Sequence, residues 1–138
     1  MTAKALIGMM RATEKELANA QGEMLNAVHM RLKAGIDALE ETVDWLVSQY
    51  ASDVKAAVAG SVPFLMLVGV VSGGWQMARA ALVAQKKLTT GSGDTAFYQA
   101  KLGTARFYAD HELTRASALK ESIVSGAVGV LALSEDQF

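Results

Sequence analysis

The sequence predicts an all-α fold, an up-and-down bundle of about four helices. In the first half Leu6, Met10, Thr13 and Leu17 recur at steps of four and three, which places these mostly apolar residues on one helical stripe. The only proline is Pro63 and the clearest loop is at 89–93, so long helices are expected. The chain is rich in Ala, Leu, Val and Met, whereas a β sandwich would need more Thr, Tyr and Ile. Short connections between long helices favour antiparallel neighbours, hence a bundle.

Residues 3–49 are predicted to form two helices, about 3–20 and 22–49, with a break near Asn19–Gly22. One continuous helix is the alternative, because a single interior glycine costs only about 1 kcal/mol. The apolar stripe continues through the second helix: Leu25, Val28, Leu32, Leu39, Val43 and Leu46.

A further helix is expected to begin near Ser52, whose side chain can cap it, while Asp53 suits the positive end of the helix dipole. Pro63 then either kinks this helix or lies in the first turn of a new one, with Ser61 near the cap position.

Residues 56–78 carry no charge and are long enough to cross a bilayer, which takes about 20 apolar residues. The stretch contains Pro63, Gln76 and several glycines, however, and is densely apolar only over 62–71. That length is typical of a buried core helix. A buried apolar helix around 62–87 is therefore favoured over a membrane span, with its turns at 62–71 enclosed on every side.

One long helix is predicted after the loop, over about 94–133, with Asp94 as its cap. At 1.5 Å per residue it would measure about 60 Å, so a bend near Gly126 or an overhang is expected. The whole chain, 1–138, is expected to be a single helical domain. The inner stripe of the last helix contains many small residues: Tyr98, Leu102, Ala105, Ala109, Ala116, Leu119, Ile123, Ala127 and Val130.

The charge balance argues against a nucleic-acid partner. Thirteen Lys and Arg offset fourteen Asp and Glu, and the longest basic run is Lys86-Lys87. The chain has no cysteine, so no disulfide framework or thiolate site is possible, and a reducing, cytoplasmic location is expected. The first ten residues lack the apolar core and the cleavage site of a signal peptide.

Four carboxylates are predicted to share one helical face and could hold a hard cation: Asp37, Glu40, Glu41 and Asp44. A di-metal site in a bundle would need Glu-x-x-His pairs, whereas the residues three places before His29 and His111 are Asn and Tyr. A solvated acidic face is favoured, and no metal site is predicted.

His111 lies between Asp110 and Glu112, and a neighbouring carboxylate could raise its basicity for acid–base chemistry. The chain has no Gly-x-Ser-x-Gly motif or related nucleophile signature. An ordinary surface histidine is therefore favoured, and no catalytic residue is predicted.

Aromatic and basic residues at helical spacing could form a stacking surface for an adenine ring: Phe97, Tyr98, Lys101, Arg106, Phe107 and Tyr108. Aromatic residues so spaced more often pack in a core, so no cofactor-binding residue is predicted. Gly69 and Gly73 form a small-xxx-small pattern, which in a membrane is a helix dimerisation face. In a soluble bundle the same pattern is a place where a bulky neighbour packs closely.

An ordered set of segments resembles the extra C-terminal helical domain of the longer bacterial acyl-CoA dehydrogenases. The segments are MMRAT at 9–13, EETVDWL at 40–46, AGSVPFL at 59–65, GGWQMARAAL at 73–82 and FYQAKLGTARFYA at 97–109. The likeness is strongest in the last of them. The segment at 126–133 and the end at Phe138 are also similar to the end of such proteins.

The resemblance implies a non-catalytic accessory or oligomerisation domain. Its parent enzymes are FAD-dependent oxidoreductases of fatty acid metabolism that remove hydrogens from Cα and Cβ of an acyl-CoA. Their catalytic Glu and flavin-binding segments belong to upstream domains, whose motifs have no match here. The implied partners are those catalytic domains and further copies of the chain, and FAD is implied for the parent alone. The alternative is a membrane-associated helical protein that self-associates through the Gly69–Gly73 face.

Overall fold

The computed structural model describes residues 2–137; Met1 and Phe138, which belong to the expected domain 1–138, lie outside the described residues. The described residues form helices and no strand, which confirms the all-α prediction. The α-helices are α1 (Ala3–Asn19), α2 (Glu23–Ser52), α3 (Val54–Ala59), α4 (Ser61–Thr90), α5 (Thr95–His111), α6 (Arg115–Val124) and α7 (Ala127–Val130), followed by a 3₁₀ turn at Glu135–Gln137.

Two long helices form the centre of the bundle. Both α2 and α4 contact α1, α5 and α6 as well as each other, so α5 and α6 together act as the fourth member of the bundle. Short α3 and α7 contact each other near the junction of α2 and α4. The largest fully buried side chains fill the space between these helices: Met10, Leu17, Leu25, Leu32, Ile36, Leu39, Leu67 and Ile123.

Residues 3–49 form two helices, as predicted, and the break lies where glycine is required. Gly22 precedes α2 with a φ of 125°, a region that favours glycine. The single-helix alternative is therefore wrong. The second helix continues slightly further than expected, to Ser52.

The predicted cap at Ser52 is wrong, because this residue is the last of α2 and its hydroxyl donates to the oxygen of Ser48 at 3.2 Å. Asp53 is the cap instead, since its carboxylate accepts from the backbone nitrogen of Ala56 at 3.1 Å. The carboxylate therefore stabilises the start of α3 both as a hydrogen-bond acceptor and as a charge.

Pro63 lies in the first turn of α4, so the second of its two predicted roles is correct. A missing backbone N–H costs little there, because first-turn amides have no partner within the helix. The helix ends at Thr90, three residues beyond the expected end, where Gly91 adopts the left-handed conformation with a φ of 64°.

The apolar half of α4 is buried on one face only. Leu67 and Val71 are fully enclosed, whereas Val62 is 68% exposed and Leu65 is 72% exposed. The expectation that residues 62–71 are enclosed on every side is therefore wrong within this chain. The helices that contact α4 cover its inner face and leave the opposite face open.

The predicted single helix over 94–133 is divided, and its first break contains neither Gly nor Pro. At the end of α5 the nitrogen of Leu113 bonds the oxygen of Tyr108 at 3.1 Å, and α6 starts two residues later. This turn directs Leu113 into the core, where it is 3% exposed. A second break, near Gly126, was expected as a bend and separates α6 from α7. Val130, predicted on the inner stripe, is 64% exposed.

Candidate functional site

The acidic face of α2 is a set of ion pairs. Its cations come from α1, from α6 and, in Lys33, from α2 itself, so these carboxylates connect three helices. Among residues 2–137, no group of three or more His, Cys, Asp or Glu side chains is placed to hold a metal ion. Each carboxylate is engaged: Asp37 and Glu40 by Arg11 at 2.6 Å, Glu41 by Lys120 at 2.8 Å and Asp44 by Lys4 at 3.0 Å.

Asp37 is the carboxylate most affected by this arrangement. Partial burial tends to raise the pKa of its carboxyl, but hydrogen bonds from Lys33 and Arg11 outweigh burial and hold that pKa below its ordinary value. The group therefore stays charged well into the acidic range, which suits an interhelical ion pair.

His111 is exposed at the end of α5, and its ring stacks on that of Phe107 with 4.3 Å between ring centres. Both flanking carboxylates are engaged elsewhere, which favours the surface interpretation of this histidine. Each is held by an arginine: Asp110 by Arg106 at 2.5 Å and Glu112 by Arg115 at 2.7 Å.

Two interhelical polar contacts were not predicted. His29 Nε2 lies 2.7 Å from a carboxylate oxygen of Glu14, and this pair joins α1 to α2 at a half-buried position. Trp75 Nε1 donates to the hydroxyl of Thr13 at 2.8 Å in the core between α4 and α1. The two residues of each pair lie far apart in the sequence, so no local sequence pattern indicates the contact.

The aromatic residues of α5 do not form one stacking surface. Tyr108 is half-buried, and its hydroxyl donates to the backbone oxygen of Val70 at 3.1 Å. Burial raises the pKa of this hydroxyl. Phe107 belongs to the histidine pair, so the adenine-stacking hypothesis is restricted to three residues at the start of α5: Phe97, Tyr98 and Lys101.

Those three residues line a groove of about 410 Å³ between α4 and α5, here called the α4–α5 groove. Lys101 Nζ lies 5.1 Å from the centre of the Phe97 ring. Arg79, on the α4 side, lies over the ring of Trp75 at 5.4 Å. The lining combines two cations with aromatic and apolar surface: Gln76, Arg79, Ala80, Val83, Ala84, Phe97, Tyr98 and Lys101.

The Gly69–Gly73 face is partly filled within the chain. A Cβ at Gly73 would lie 2.8 Å from Cζ of Tyr108, so this glycine lets the tyrosine approach α4 closely. A Cβ at Gly69 would meet nothing within 4 Å. The expectation that a bulky neighbour packs at this pattern is thus confirmed at Gly73.

Large apolar side chains are exposed on several helices, and one group of them lies on the N-terminal half of α4. The outer α4 face consists of Val62, Leu65, Met66 and Gly69, which follow one another at helical steps. A shallow cleft between two short helices adds further apolar surface. This α3–α7 cleft is lined by Val54, Val58, Val130 and Leu131, with Lys55 and Ala59.

By length and composition α4 could cross a membrane, a property that core helices of soluble proteins share. About a third of its most apolar stretch is buried among the other helices.

Comparison with known proteins assigns the chain to a family. Residues 6–134 match the family model described as acetyl-CoA dehydrogenase C-terminal like. The chain belongs to this family. It is also 37% identical over 133 residues to a 3-methylmercaptopropionyl-CoA dehydrogenase of Ruegeria pomeroyi. That match covers 96% of this chain and 22% of the relative, so the chain spans about a fifth of that relative's length.

Membership confirms the resemblance seen in the sequence, that of a C-terminal helical domain of acyl-CoA dehydrogenases. The family match, over residues 6–134, encloses the α4–α5 groove and the outer α4 face. It names the kind of domain and assigns no role to individual side chains.

Proposed function

We propose that this chain is the non-catalytic C-terminal accessory domain of an FAD-dependent acyl-CoA dehydrogenase that works in the cytoplasm. Residues 1–138 act as one domain, which packs against the catalytic domains and takes part in contacts between subunits. FAD and the catalytic base belong to those other domains, and the parent reaction is the α,β-dehydrogenation of an acyl-CoA thioester in fatty acid metabolism.

The outer α4 face is the observation that carries this proposal. Val62 and Leu65 lie about one turn apart and each exposes more than two thirds of its surface. Burying apolar surface contributes about 25 cal/mol per Å². A concentration of large exposed apolar groups therefore indicates a surface made to contact another protein. The inner face of α4 already has its partners within the chain, so this second apolar face is available for a further domain.

The family match supports the choice of partner. In the Ruegeria pomeroyi relative most of the polypeptide lies outside the matched part. A helical domain joined to such a body can cover its apolar face with surface from the same protein.

A chimera tests the proposal: the matched part of the Ruegeria pomeroyi dehydrogenase is replaced by this chain. We expect a soluble protein that retains bound flavin and dehydrogenase activity. Leu65→Asp should then release flavin or change the oligomeric state, because a charge would enter a buried contact. Val47→Asp is the matched control, since Val47 is 64% exposed on α2 and belongs neither to the outer α4 face nor to the lining of the α4–α5 groove. Equal behaviour of the two variants would contradict a contact at the outer α4 face.

The isolated chain provides an independent test of the non-catalytic role. The purified protein should show no absorbance at flavin wavelengths and should not oxidise acyl-CoA with an artificial electron acceptor. A yellow protein that turns over acyl-CoA would contradict the proposal.

A membrane-associated protein is the alternative, and the length of α4 is the observation that favours it. Its dimerisation face would be Gly69 and Gly73, but Gly73 contacts Tyr108 within the bundle. Inserting α4 would also remove the inner face of the helix from α1, α2, α5 and α6. Light scattering on the purified chain separates the two proposals, since only the membrane protein should need detergent to stay dispersed.

A further inference from the structure

The α4–α5 groove joins an exposed aromatic ring to two cations. We propose that it binds the phosphorylated adenosine of an adenine nucleotide. The same chemistry is carried by free nucleotides and by the CoA part of an acyl-CoA thioester. Assigning the ligand to CoA rests on the proposed function, whereas binding of the adenosine phosphate group does not.

Phe97 supplies the stacking surface. Its side chain is 51% exposed, and its ring meets that of Tyr98 edge-on, with 5.4 Å between ring centres. Tyr98 is half-buried and packs close to Gly93, where a Cβ would lie 3.0 Å from the tyrosine ring. The exposed ring therefore rests on an anchored neighbour. Aromatic side chains placed in this way stack on nucleobases, a contact worth about 1–3 kcal/mol per base.

Arg79 and Lys101 supply positive charge on the two walls of the groove. Within residues 2–137 neither forms an ion pair, whereas the arginines at positions 11, 106 and 115 all do. Arg79 donates to the side-chain oxygen of Gln76 at 3.0 Å, which orients its guanidinium over Trp75. The groove lining contains no Asp or Glu, so a phosphate placed there would meet cations without a repelling carboxylate.

The dimensions fit a ligand of this class. A volume of about 410 Å³ lies within the range of small-molecule sites, roughly 300–1,000 Å³. Arg79 lies about 21 Å along the α4 axis from Leu65, at 1.5 Å per residue. A ligand in the groove and a protein domain on the outer α4 face can therefore be bound at the same time.

Titration calorimetry on the 138-residue chain tests the proposal, with adenosine 3′,5′-bisphosphate, CoA, ATP and inorganic pyrophosphate as separate probes. The wild-type chain should bind the adenosine bisphosphate, and Trp75 beneath Arg79 should report binding through its fluorescence. Lys101→Ala and Phe97→Ala should each weaken binding about tenfold. Both side chains are exposed, so neither substitution should unfold the chain, which circular dichroism verifies.

Two matched control variants distinguish binding in the groove from nonspecific binding to exposed aromatic or basic side chains. Phe107→Ala removes an exposed phenylalanine from the same helix, and Lys55→Ala removes an exposed lysine on α3. Both should bind as the wild type does. Equal losses in control and groove variants would overturn the proposal, as would absence of binding to the bisphosphate. The proposal would also be overturned if pyrophosphate bound as tightly as the bisphosphate and Phe97→Ala did not weaken that binding. Such a result would indicate a site that binds anions without recognising adenosine.

The remaining probes identify the source of the nucleotide. A preference for CoA and the 3′,5′-bisphosphate over ATP supports a CoA thioester, whereas equal binding of ATP supports a free adenine nucleotide. Single-stranded oligonucleotides that bind better than any mononucleotide would overturn the proposal in favour of a nucleic acid. Failure here leaves the chimera test intact, because Leu65→Asp does not touch the groove.

Discussion

Over residues 62–71 the two faces of α4 have similar composition and opposite surroundings. The inner face carries Leu67, Val71 and Trp75 into the core, with small residues that let neighbouring helices approach. The outer face presents Val62 and Leu65 to solvent. The two faces have similar hydropathy. Their exposure differs because the helices of the rest of the chain cover the inner face and leave the outer face open.

This contrast shows why a helix that is apolar all round need not be the centre of its own domain. Such a helix must be enclosed, but the enclosure can come from outside the segment that contains it. An uncovered apolar face on an otherwise well-packed bundle therefore indicates that the bundle contacts another domain or subunit.

The largest expected difference between the faces comes from two leucines two positions apart. Leu67→Ala should lower the free energy of unfolding by about 2–5 kcal/mol, because the side chain is fully buried and its loss leaves a cavity. Leu65→Ala, at a side chain that is 72% exposed, should change it by less than about 0.5 kcal/mol. Urea denaturation monitored by circular dichroism measures both. Similar losses would mean that the outer face is covered in solution.

Two glycines of α4 provide a second comparison between its inner and outer faces. A Cβ at Gly74 would lie 2.5 Å from a methyl carbon of Leu113, whereas a Cβ at Gly69 would meet nothing within 4 Å. Both alanine substitutions gain about 1 kcal/mol of helix propensity, so their difference isolates the clash. Gly74→Ala should therefore be about 1–3 kcal/mol less stable than Gly69→Ala in the same denaturation experiment. Equal stabilities would show that Leu113 can move aside.

The smallest expected effect lies at the polar edge of the bundle, where Asp37 has a lowered pKa. Its ion pairs contribute stability that is present above the ordinary carboxyl pKa, about 3.9, and is lost as the pH falls through the lowered folded value. Asp37→Asn should thus cost less than about 1 kcal/mol at pH 7, because the pair is partly exposed. The cost should shrink as the pH is lowered towards 3.

Denaturation midpoints of wild type and variant at several pH values measure this cost. Asp44→Asn is the control and should have a smaller effect, since Lys4 and Asp44 are both largely exposed. A cost for Asp37→Asn that does not change with pH would contradict the role of the ion pairs.

The all-α fold class and a break near Asn19–Gly22 could be predicted, and Pro63 could be limited to two roles, because each depends on local backbone chemistry. The turn between α5 and α6 could not, because the residues from His111 to Arg115 include neither Gly nor Pro. That turn forms because it places Leu113 against two glycines of other helices, Gly35 and Gly74. Tertiary packing here overrides a locally helical sequence.

The candidate site was predictable only in part. The aromatic spacing on α5 left a stacking surface as the less favoured alternative to core packing, and periodicity alone could not separate exposed Phe97 from half-buried Tyr108. The contribution of Arg79 was missed, because it comes from another helix and only the packing of α4 on α5 brings it to the groove. The family resemblance identified the kind of domain without indicating either feature.

The contact of Leu113 with two glycines has a consequence for how this sequence can change. A Cβ at Gly35 would lie 3.2 Å from Leu113, and one at Gly74 would lie closer still, so α2, α4 and the turn between α5 and α6 share a single filled space. A larger residue at either glycine position requires Leu113 to shift or position 113 to become smaller. Homologous sequences should therefore change at these three positions together. A substitution at one of them alone should be rare until a compensating substitution arises at another.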